Sequence, residues 1–237
     1  MSKITTVLFD LDGTLLPMDQ DVFVKAYFGL LAKKLAPHGY DPEKLIAAIW
    51  QGTAAMVKND GSVTNEEAFW ASFATVFGED VRKDEPIFDH YYRNEFAQVQ
   101  ASCGFAPQAA EVIAYLKERG FRLALATNPI FPAVATESRI RWAGLHREDF
   151  ALVTTYENSR RCKPNPGYYR DVLEALGCTP EECVMIGNDA TEDLAAATLG
   201  IPVFLLTDCL INKAGEDISR YPNGGFAQLR AFLGLEA

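Results

Sequence analysis

The sequence predicts the α/β fold class, with a doubly wound parallel sheet and an inserted helical segment. Short apolar runs alternate with helical patterns along residues 103–237, and one further apolar run stands near the N-terminus. Strands that alternate with helices form parallel sheets covered on both faces. Between these two parts, residues 17–102 show helical patterns. We therefore expect a Rossmann-like core from residues 1–16 and 103–237, and an all-helical inserted domain from residues 17–102.

The first part of the chain contains one predicted strand followed by helices. Residues 4–10 are short, apolar and rich in β-branched side chains, which is typical of a buried strand. Four predicted helices follow: 21–35, one opened by Asp41-Pro42-Glu43, one opened by a capping box at Thr64 and Glu67, and 85–99. No convincing strand pattern occurs between residues 17 and 100, so this segment is predicted to be all-helical.

After Gly104 the pattern alternates between helix and strand. The predicted strands are residues 121–127, 150–155, 183–187 and 201–207. The predicted helices are residues 107–120, 132–143, 166–176, 190–199 and 225–233. The strands are nearly continuous apolar runs, as burial on both faces of a parallel sheet requires.

Composition and charge narrow the class of protein. The 237 residues are 49% hydrophobic and 23% charged, an ordinary globular balance. The net charge of −10 argues against a nucleic-acid partner, which usually needs a basic surface. No apolar run approaches the roughly 20 residues of a membrane span, and the N-terminal run is too short and too interrupted by aspartates for a signal peptide. We therefore expect a cytoplasmic protein without a membrane partner. The five cysteines form no CxxC pair and are expected to be reduced thiols.

Polar residues follow several of the predicted strands at the point where each strand ends. They are Asp10-Leu11-Asp12-Gly13-Thr14, Thr127-Asn128, a loop that reaches Lys163, and Gly187-Asn188-Asp189. Ligands of open parallel sheets bind beyond the carboxyl ends of the strands. Each segment alone also fits a turn, a helix cap, a solvated lysine or acidic residues at a helix N-terminus. Their occurrence together favours a single functional crevice.

These four segments, with Pro164 after Lys163 and Asp193 after Asp189, resemble the four motifs of the haloacid dehalogenase (HAD) superfamily. The resemblance covers the whole predicted α/β core, and the helical insertion resembles the family's type 1 cap. It implies a Mg²⁺-dependent phosphomonoester hydrolase, a phosphatase that acts on a small phosphorylated metabolite through an aspartyl-phosphate intermediate.

The resemblance also implies roles for individual residues. Asp10 is the expected nucleophile and Asp12 the expected general acid and base. Thr127, the backbone N–H of Asn128 and Lys163 are expected to bind the phosphate, and the Thr14 hydroxyl is expected to orient Asp10. Oxygen ligands suit Mg²⁺, and the implied set is the Asp10 carboxylate, the Asp12 backbone carbonyl and Asp189.

Several positions leave alternatives open. The fourth motif reads Gly187-Asn188-Asp189 where many members read Gly-Asp, so Asn188 is a candidate supporting residue beside the metal ligand Asp189. Asp193 is expected to hold the loop or Lys163. Arg160 and Arg161 suggest either a clamp for a second anionic group or a solvated loop. Trp50 and Trp70 suggest either a specificity pocket or packing.

Competing functions are a 2-haloacid dehalogenase, a phosphomutase and a catalytically silent binding protein. Dehalogenation needs the aspartate nucleophile but leaves Asp12 and Asp189 unexplained. A phosphomutase would use the same residues in its first half-reaction. A silent scaffold usually lacks a nucleophile or metal ligand, and none of the core set is missing here. The substrate and the oligomeric state do not follow from the sequence.

Overall fold

The structure, a computed structural model, describes residues 4–234. The predicted core also included residues 1–3 and 235–237, which lie outside the described residues. Within residues 4–234, no helix is both long and apolar enough to cross a membrane.

A single parallel sheet organises the fold. Its strands are β1 (Thr6–Phe9), β2 (Arg122–Leu125), β3 (Leu152–Val153), β4 (Cys183–Gly187), β5 (Val203–Leu206) and β6 (Asn223–Gly224). The spatial order is β3-β2-β1-β4-β5-β6, and every neighbouring pair is parallel. This order reverses direction between β1 and β4, as in doubly wound sheets. The predicted α/β, Rossmann-like fold class is therefore confirmed. The two-residue strand β6 was not predicted, because so short a segment carries no periodic pattern.

Eight α-helices surround or extend from the sheet in the described chain. They are α1 (Gln20–Leu35), α2 (Pro42–Val57), α3 (Asn65–Phe77), α4 (Glu85–Arg93), α5 (Pro107–Glu118), α6 (Ala133–Trp142), α7 (Pro166–Leu176) and α8 (Phe226–Phe232). Short 3₁₀ helices cover Ala36–His38, Glu79–Asp84, Glu95–Ser102, Arg147–Asp149, Pro180–Glu182, Leu194–Leu199 and Ile218–Arg220. The predicted caps form: Asp41 accepts the N–H of Lys44, and Thr64 and Glu67 make a reciprocal capping box.

Two helix predictions were wrong in part. The predicted helix 85–99 ends at Arg93, where the Asn94 side chain donates to the carbonyl of His90 and competes with the helical hydrogen bonds. The predicted helix 190–199 is a turn followed by the 3₁₀ helix Leu194–Leu199. There the carboxylate of Asp193 binds backbone N–H groups of the preceding loop, which holds the chain in a tight turn.

The helical insertion leaves and re-enters the core at one place. Met18 forms an isolated antiparallel bridge with Cys103, and the N–H of Gly104 donates to the carbonyl of Pro17 at 2.7 Å. Helices α1–α4 lie between these two crossings, and no strand does among the described residues. We retain residues 17–102 as the proposed cap.

Apolar packing joins the insertion to one face of the sheet. Alternate residues of β1 face opposite sides: Val7 and Phe9 belong to the cluster shared with the insertion, whereas Leu8 packs in a second cluster with Tyr168 and Met185. Phe96 belongs to the shared cluster and has no exposed surface.

The Phe96 side chain is expected to contribute strongly to stability. Its ring lies 5.0 Å from that of Trp142 on α6 and 5.5 Å from that of Tyr92, measured between centroids. Phe96→Ala should therefore lower the free energy of unfolding by about 3–5 kcal/mol, because it leaves a cavity between insertion and core. Urea denaturation measures this loss. Phe105→Ala is the matched control, since Phe105 is 62% exposed and its truncation should cost less than about 1 kcal/mol. Equal losses of unfolding free energy in both variants would contradict the stabilising role of the buried Phe96 ring.

Candidate active site

The carboxyl ends of three adjacent strands meet at one crevice. Strand β1 lies between β2 and β4, so the segments after these strands bring Asp10, Thr127 and Asn188 together. The crevice has a volume of about 200 Å³. Its polar lining consists of Asp10, Asp12, Gln20, Thr127, Asn128, Asn188, Asp189, Glu192 and Asp193. The structure thus places most of the sequence-predicted site residues around one space.

Lys163 lies beneath this crevice as a fully buried cation. Its Nζ atom donates to Oδ1 of Asp10 at 3.0 Å and to Oδ1 of Asp193 at 2.7 Å. Burial alone would lower the pKa of Lys163, but the two carboxylates raise it well above the ordinary value. Lys163 is therefore a permanent ammonium group at neutral pH.

Asp10 has the electrostatics of a crowded, buried carboxyl. Burial raises the pKa of Asp10 to about 7, with further increases from Asp193 and Asp12, while Lys163 opposes the shift. The site therefore contains more negative charge than its own lysine balances. An additional cation near Asp10 would favour the ionised form that a nucleophile requires.

The other aspartate of the first motif is engaged by an arginine. Asp12 and Asp10 both line the crevice, in line with their spacing of two residues. Oδ2 of Asp12 forms an ion pair with Nη1 of Arg139, while Oδ1 is buried without a hydrogen-bond partner. The unpaired Oδ1 leaves one position at which Asp12 could bind a further group.

Arg139 is a site residue that the sequence reasoning missed. Its side chain is 1% exposed, and its guanidinium lies 4.3 Å from the centroid of the Phe131 ring. The available signal was its place in helix α6: it lies four residues after the buried Ala135 and directly before the buried Ile140. An arginine on a buried helix face requires a partner, and Asp12 provides it.

The Asn188 side chain connects two loops at the edge of the crevice. Its Oδ1 accepts the hydroxyl of Thr14 at 2.9 Å, and its Nδ2 donates to the carbonyl of Cys209 at 2.8 Å. Thr14 was expected to orient Asp10, but that contact is long, at 3.5 Å. Gly13 has a φ of 86°, and a Cβ there would lie 2.2 Å from Nδ2 of Asn188, so this close approach requires glycine.

Asp193 holds both the fourth-motif loop and Lys163. Its Oδ2 accepts the N–H groups of Asn188 and Asp189, each at 2.9 Å, while its Oδ1 binds Lys163. A Cβ on Gly187 would lie 2.0 Å from Oδ2 of Asp193, so glycine is needed at the end of β4. Both contacts expected for Asp193 are present. Asp189 is more exposed than Asn188 and reaches the crevice as a carboxylate.

Asn128 and Glu192 form a polar pair on the other side of the crevice. Oδ1 of Asn128 accepts the backbone N–H of Lys163 at 3.2 Å, and Nδ2 donates to Oε1 of Glu192 at 2.8 Å. Burial raises the pKa of Glu192 to about 8. Glu192 was not singled out from the sequence, although it stands between Asp189 and Asp193. Thr127 is 3% exposed, and its carbonyl accepts the hydroxyls of Thr154 and Tyr168.

The two arginines before Lys163 bind protein groups outside the crevice. Nη1 of Arg161 donates to both oxygens of Asp171 at 2.8 Å, and Nη1 of Arg160 donates to the carbonyl of Ser62 at 3.2 Å. Neither arginine lines the crevice. The structure thus favours a structural role, in which Arg160 ties this loop to the insertion.

The residues around Asp10 suit a hard divalent cation. Among residues 4–234, no three side chains of His, Cys, Asp or Glu form a ready-made metal cluster. Mg²⁺ does not require one, because it binds one or two carboxylates and keeps several waters. The all-oxygen donors of Asp10 and Asp189, together with the excess of carboxylates, are compatible with Mg²⁺.

Removal of the buried cation should destabilise the protein. Lys163→Met leaves the carboxylates of Asp10 and Asp193 buried without their partner, so we expect a loss of about 3–5 kcal/mol in the free energy of unfolding. Urea denaturation at neutral pH tests this prediction. Lys58→Met is the matched control, because Lys58 is exposed on the insertion. A loss below about 1 kcal/mol for Lys163→Met would show that the ion pairs of Lys163 with Asp10 and Asp193 contribute no more than surface salt bridges.

Comparison with known proteins identifies the relatives of this chain. Residues 4–200 match the family of haloacid dehalogenase-like hydrolases. The phosphoglycolate phosphatase of Salmonella paratyphi A is 28% identical over 218 residues, covering 87% of this chain and 82% of that protein. The glyceraldehyde 3-phosphate phosphatase of Methanothermobacter thermautotrophicus is 28% identical over 148 residues, covering 60% of this chain and 61% of that protein.

A solved structure shares the fold. The crystal structure of a HAD phosphatase from Thermococcus onnurineus superposes with a TM-score of 0.60 at 20% identity and covers 99% of both chains. The sequence-based expectation of a phosphatase-like HAD hydrolase is confirmed by these comparisons. The family match spans most of the chain, and the protein therefore belongs to the haloacid dehalogenase-like hydrolases.

Proposed function

We propose that this protein is a Mg²⁺-dependent phosphatase that hydrolyses a small phosphorylated metabolite through an aspartyl-phosphate on Asp10. The observation that carries the proposal is the position of Asp10, held by buried Lys163 at the point where the segments after β1, β2 and β4 meet. The phosphatases among the relatives support the reaction class.

Asp10 is the proposed nucleophile. Its Oδ1 accepts a hydrogen bond from Lys163, and its Oδ2 makes only a long contact with Thr14. Oδ2 is thus the oxygen that would form the new bond to phosphorus while the bond from phosphorus to the leaving oxygen breaks. Water would then attack the phosphorus of the aspartyl-phosphate and release inorganic phosphate.

Asp12 is the proposed general acid and base. In the first step it would give a proton to the leaving oxygen, and in the second step it would take one from the attacking water. Its ion pair with Arg139 has a consequence for the first step. Because Arg139 holds Oδ2 in the ion pair, the unpaired Oδ1 is the oxygen of Asp12 through which the proton would pass.

Three further residues are proposed to bind the transferred phosphate. Thr127 would contribute its hydroxyl, Asn128 its backbone N–H and Lys163 its ammonium charge. The Asn128 side chain contacts the backbone of Lys163, which links these two positions. Phosphoryl transfer depends mainly on such positioning and charge neutralisation.

Mg²⁺ is the proposed cofactor. The Asp10 carboxylate, the Asp12 backbone carbonyl and Asp189 would hold it. When bound, the ion would neutralise the charge that separates an anionic nucleophile from an anionic phosphate. The insertion of residues 17–102 would act as the cap that covers the crevice and selects the substrate.

Replacement of the nucleophile should abolish turnover. Asp10→Asn removes the attacking carboxylate with little change in size, so hydrolysis of p-nitrophenyl phosphate should fall by more than about 1,000-fold. Asp80→Asn, on an exposed position of the insertion, is the matched control and should keep full activity. Turnover by Asp10→Asn near the wild-type rate would rule out the aspartyl-phosphate mechanism.

A phosphomutase would behave differently. It would transfer the labelled phosphoryl group from the phosphorylated enzyme to a second sugar phosphate.

Removal of the metal should also abolish turnover, and its return should restore it. We expect EDTA to reduce hydrolysis of p-nitrophenyl phosphate to background, because the crevice then contains an uncompensated excess of carboxylates. Excess Mg²⁺ should restore the rate. Full activity in EDTA would contradict the metal requirement.

A further inference from the structure

We propose that the substrate is a phosphomonoester whose organic group is apolar and ring-sized, and that a cavity in the insertion binds this group. This inference rests on the proposed phosphatase function and adds the substrate class. It concerns a space next to the crevice that none of the proposed catalytic residues lines.

The cavity has a volume of about 90 Å³ and is lined mainly by aromatic side chains. Its lining residues are Val24, Tyr27, Phe28, Ile49, Trp50, Thr53, Phe69, Trp70, Phe88, Tyr92, Ile130, Phe131, Pro132 and Tyr156. An apolar cavity of about 150 Å³ stays dry and binds benzene, so this smaller space, which shares part of its lining with the crevice, suits a branched alkyl group or a ring that is only partly enclosed.

The cavity continues into the catalytic crevice. Val24, Trp50, Ile130 and Phe131 line both spaces. These four side chains would therefore lie between a phosphate held at Asp10 and the cavity. The organic group esterified to that phosphate would extend past them into the cavity.

Neither space offers a cation to a second anionic group of a substrate. Within the described part of the chain, no lysine, arginine or histidine lines the crevice or the cavity. The nearby guanidinium of Arg139 is already paired with Asp12. A carboxylate on the substrate would therefore be desolvated among acidic and aromatic side chains without a partner, which is unfavourable. Phosphoglycolate carries such a carboxylate and should be a poor substrate.

The packing and polarity of individual lining residues shape the walls of the cavity. A Cβ on Gly52 would lie 2.5 Å from the Phe69 ring, so glycine at this position lets that ring pack directly on helix α2. The hydroxyls of Tyr27 and Tyr92 satisfy each other at 2.7 Å, and the Thr53 hydroxyl donates to the carbonyl of Ile49. Nε1 of Trp70 is a buried donor without a hydrogen-bond partner. Trp50 is 51% exposed where crevice and cavity meet, although large aromatic side chains usually bury more of their surface.

Substrate preference tests the proposal directly. Benzyl phosphate and 2-phosphoglycolate both release an alkoxide-type leaving group, so their kcat/KM values compare binding of the organic group rather than leaving-group chemistry. With Mg²⁺ and wild-type protein, we expect kcat/KM for benzyl phosphate to be at least 100-fold higher. An equal value or a preference for 2-phosphoglycolate would overturn the proposal while leaving the phosphatase function intact.

A cavity-filling variant tests the location. Thr53 lines the cavity but not the crevice, so Thr53→Phe should lower kcat/KM for benzyl phosphate at least tenfold. Acetyl phosphate, which is too small to need the cavity, should be hydrolysed within twofold of the wild-type rate and also reports that the variant is folded. Thr75→Phe, at an exposed position of the same insertion, is the matched control. Equal losses for benzyl phosphate and acetyl phosphate, or no loss for benzyl phosphate, would contradict the placement of the organic group in the cavity.

Binding without turnover separates this proposal from the proposed function. Benzylphosphonate and phosphonoacetate are non-hydrolysable counterparts of benzyl phosphate and 2-phosphoglycolate, respectively. Calorimetry with Mg²⁺ should show benzylphosphonate binding at least tenfold more tightly, and Thr53→Phe should remove that advantage. If no ester is hydrolysed, the phosphatase function fails and the substrate proposal fails with it. If esters are hydrolysed but phosphonoacetate binds as tightly as benzylphosphonate, only the substrate proposal fails.

Discussion

The buried ammonium group of Lys163 is the interaction on which the site depends. A buried charge is tolerated only when it is paired, and Lys163 is paired with Asp10 after β1 and with Asp193 in the loop after β4. Asp193 in turn holds the N–H groups of Asn188 and Asp189. One cation thus fixes the relative positions of segments that are more than 150 residues apart in sequence. The close approach of Asp193 explains why β4 ends in glycine.

The charge balance of the crevice constrains both the cofactor and the substrate. Five carboxyl groups line it, whereas the two neighbouring cations, Lys163 and Arg139, are already engaged with Asp10, Asp193 and Asp12. A phosphate bound there would need a further cation, and Mg²⁺ is the one that we propose. A second anionic group on the substrate would find none. The same excess of acid thus supports the proposed metal and argues against an anionic organic group such as one that bears a carboxylate.

The sequence predicts those parts of the molecule that depend on local pattern. Apolar runs placed the core strands, and the rule that parallel strands end at one edge brought Asp10, Thr127 and Asn188 to one crevice. Contacts between distant segments left no local pattern. The pairing of Arg139 with Asp12 and the bond from Thr14 to Asn188 depend on tertiary packing. The predicted helix 190–199 was wrong because Asp193 binds Lys163 and the N–H groups of the preceding loop. These long-range contacts outweigh the helix propensity of an alanine-rich segment.

Contacts run without interruption from the cavity to the proposed acid. The ring of Tyr27 lies 5.4 Å from that of Phe131, measured between centroids, and the guanidinium of Arg139 lies 4.3 Å from the centroid of the Phe131 ring. Arg139 then binds Asp12. Phe131 lines both the cavity and the crevice and also contacts Arg139, so a group in the proposed binding cavity would lie beside it. Phe131 thus connects the wall of the proposed binding cavity to the arginine that is paired with the proposed acid.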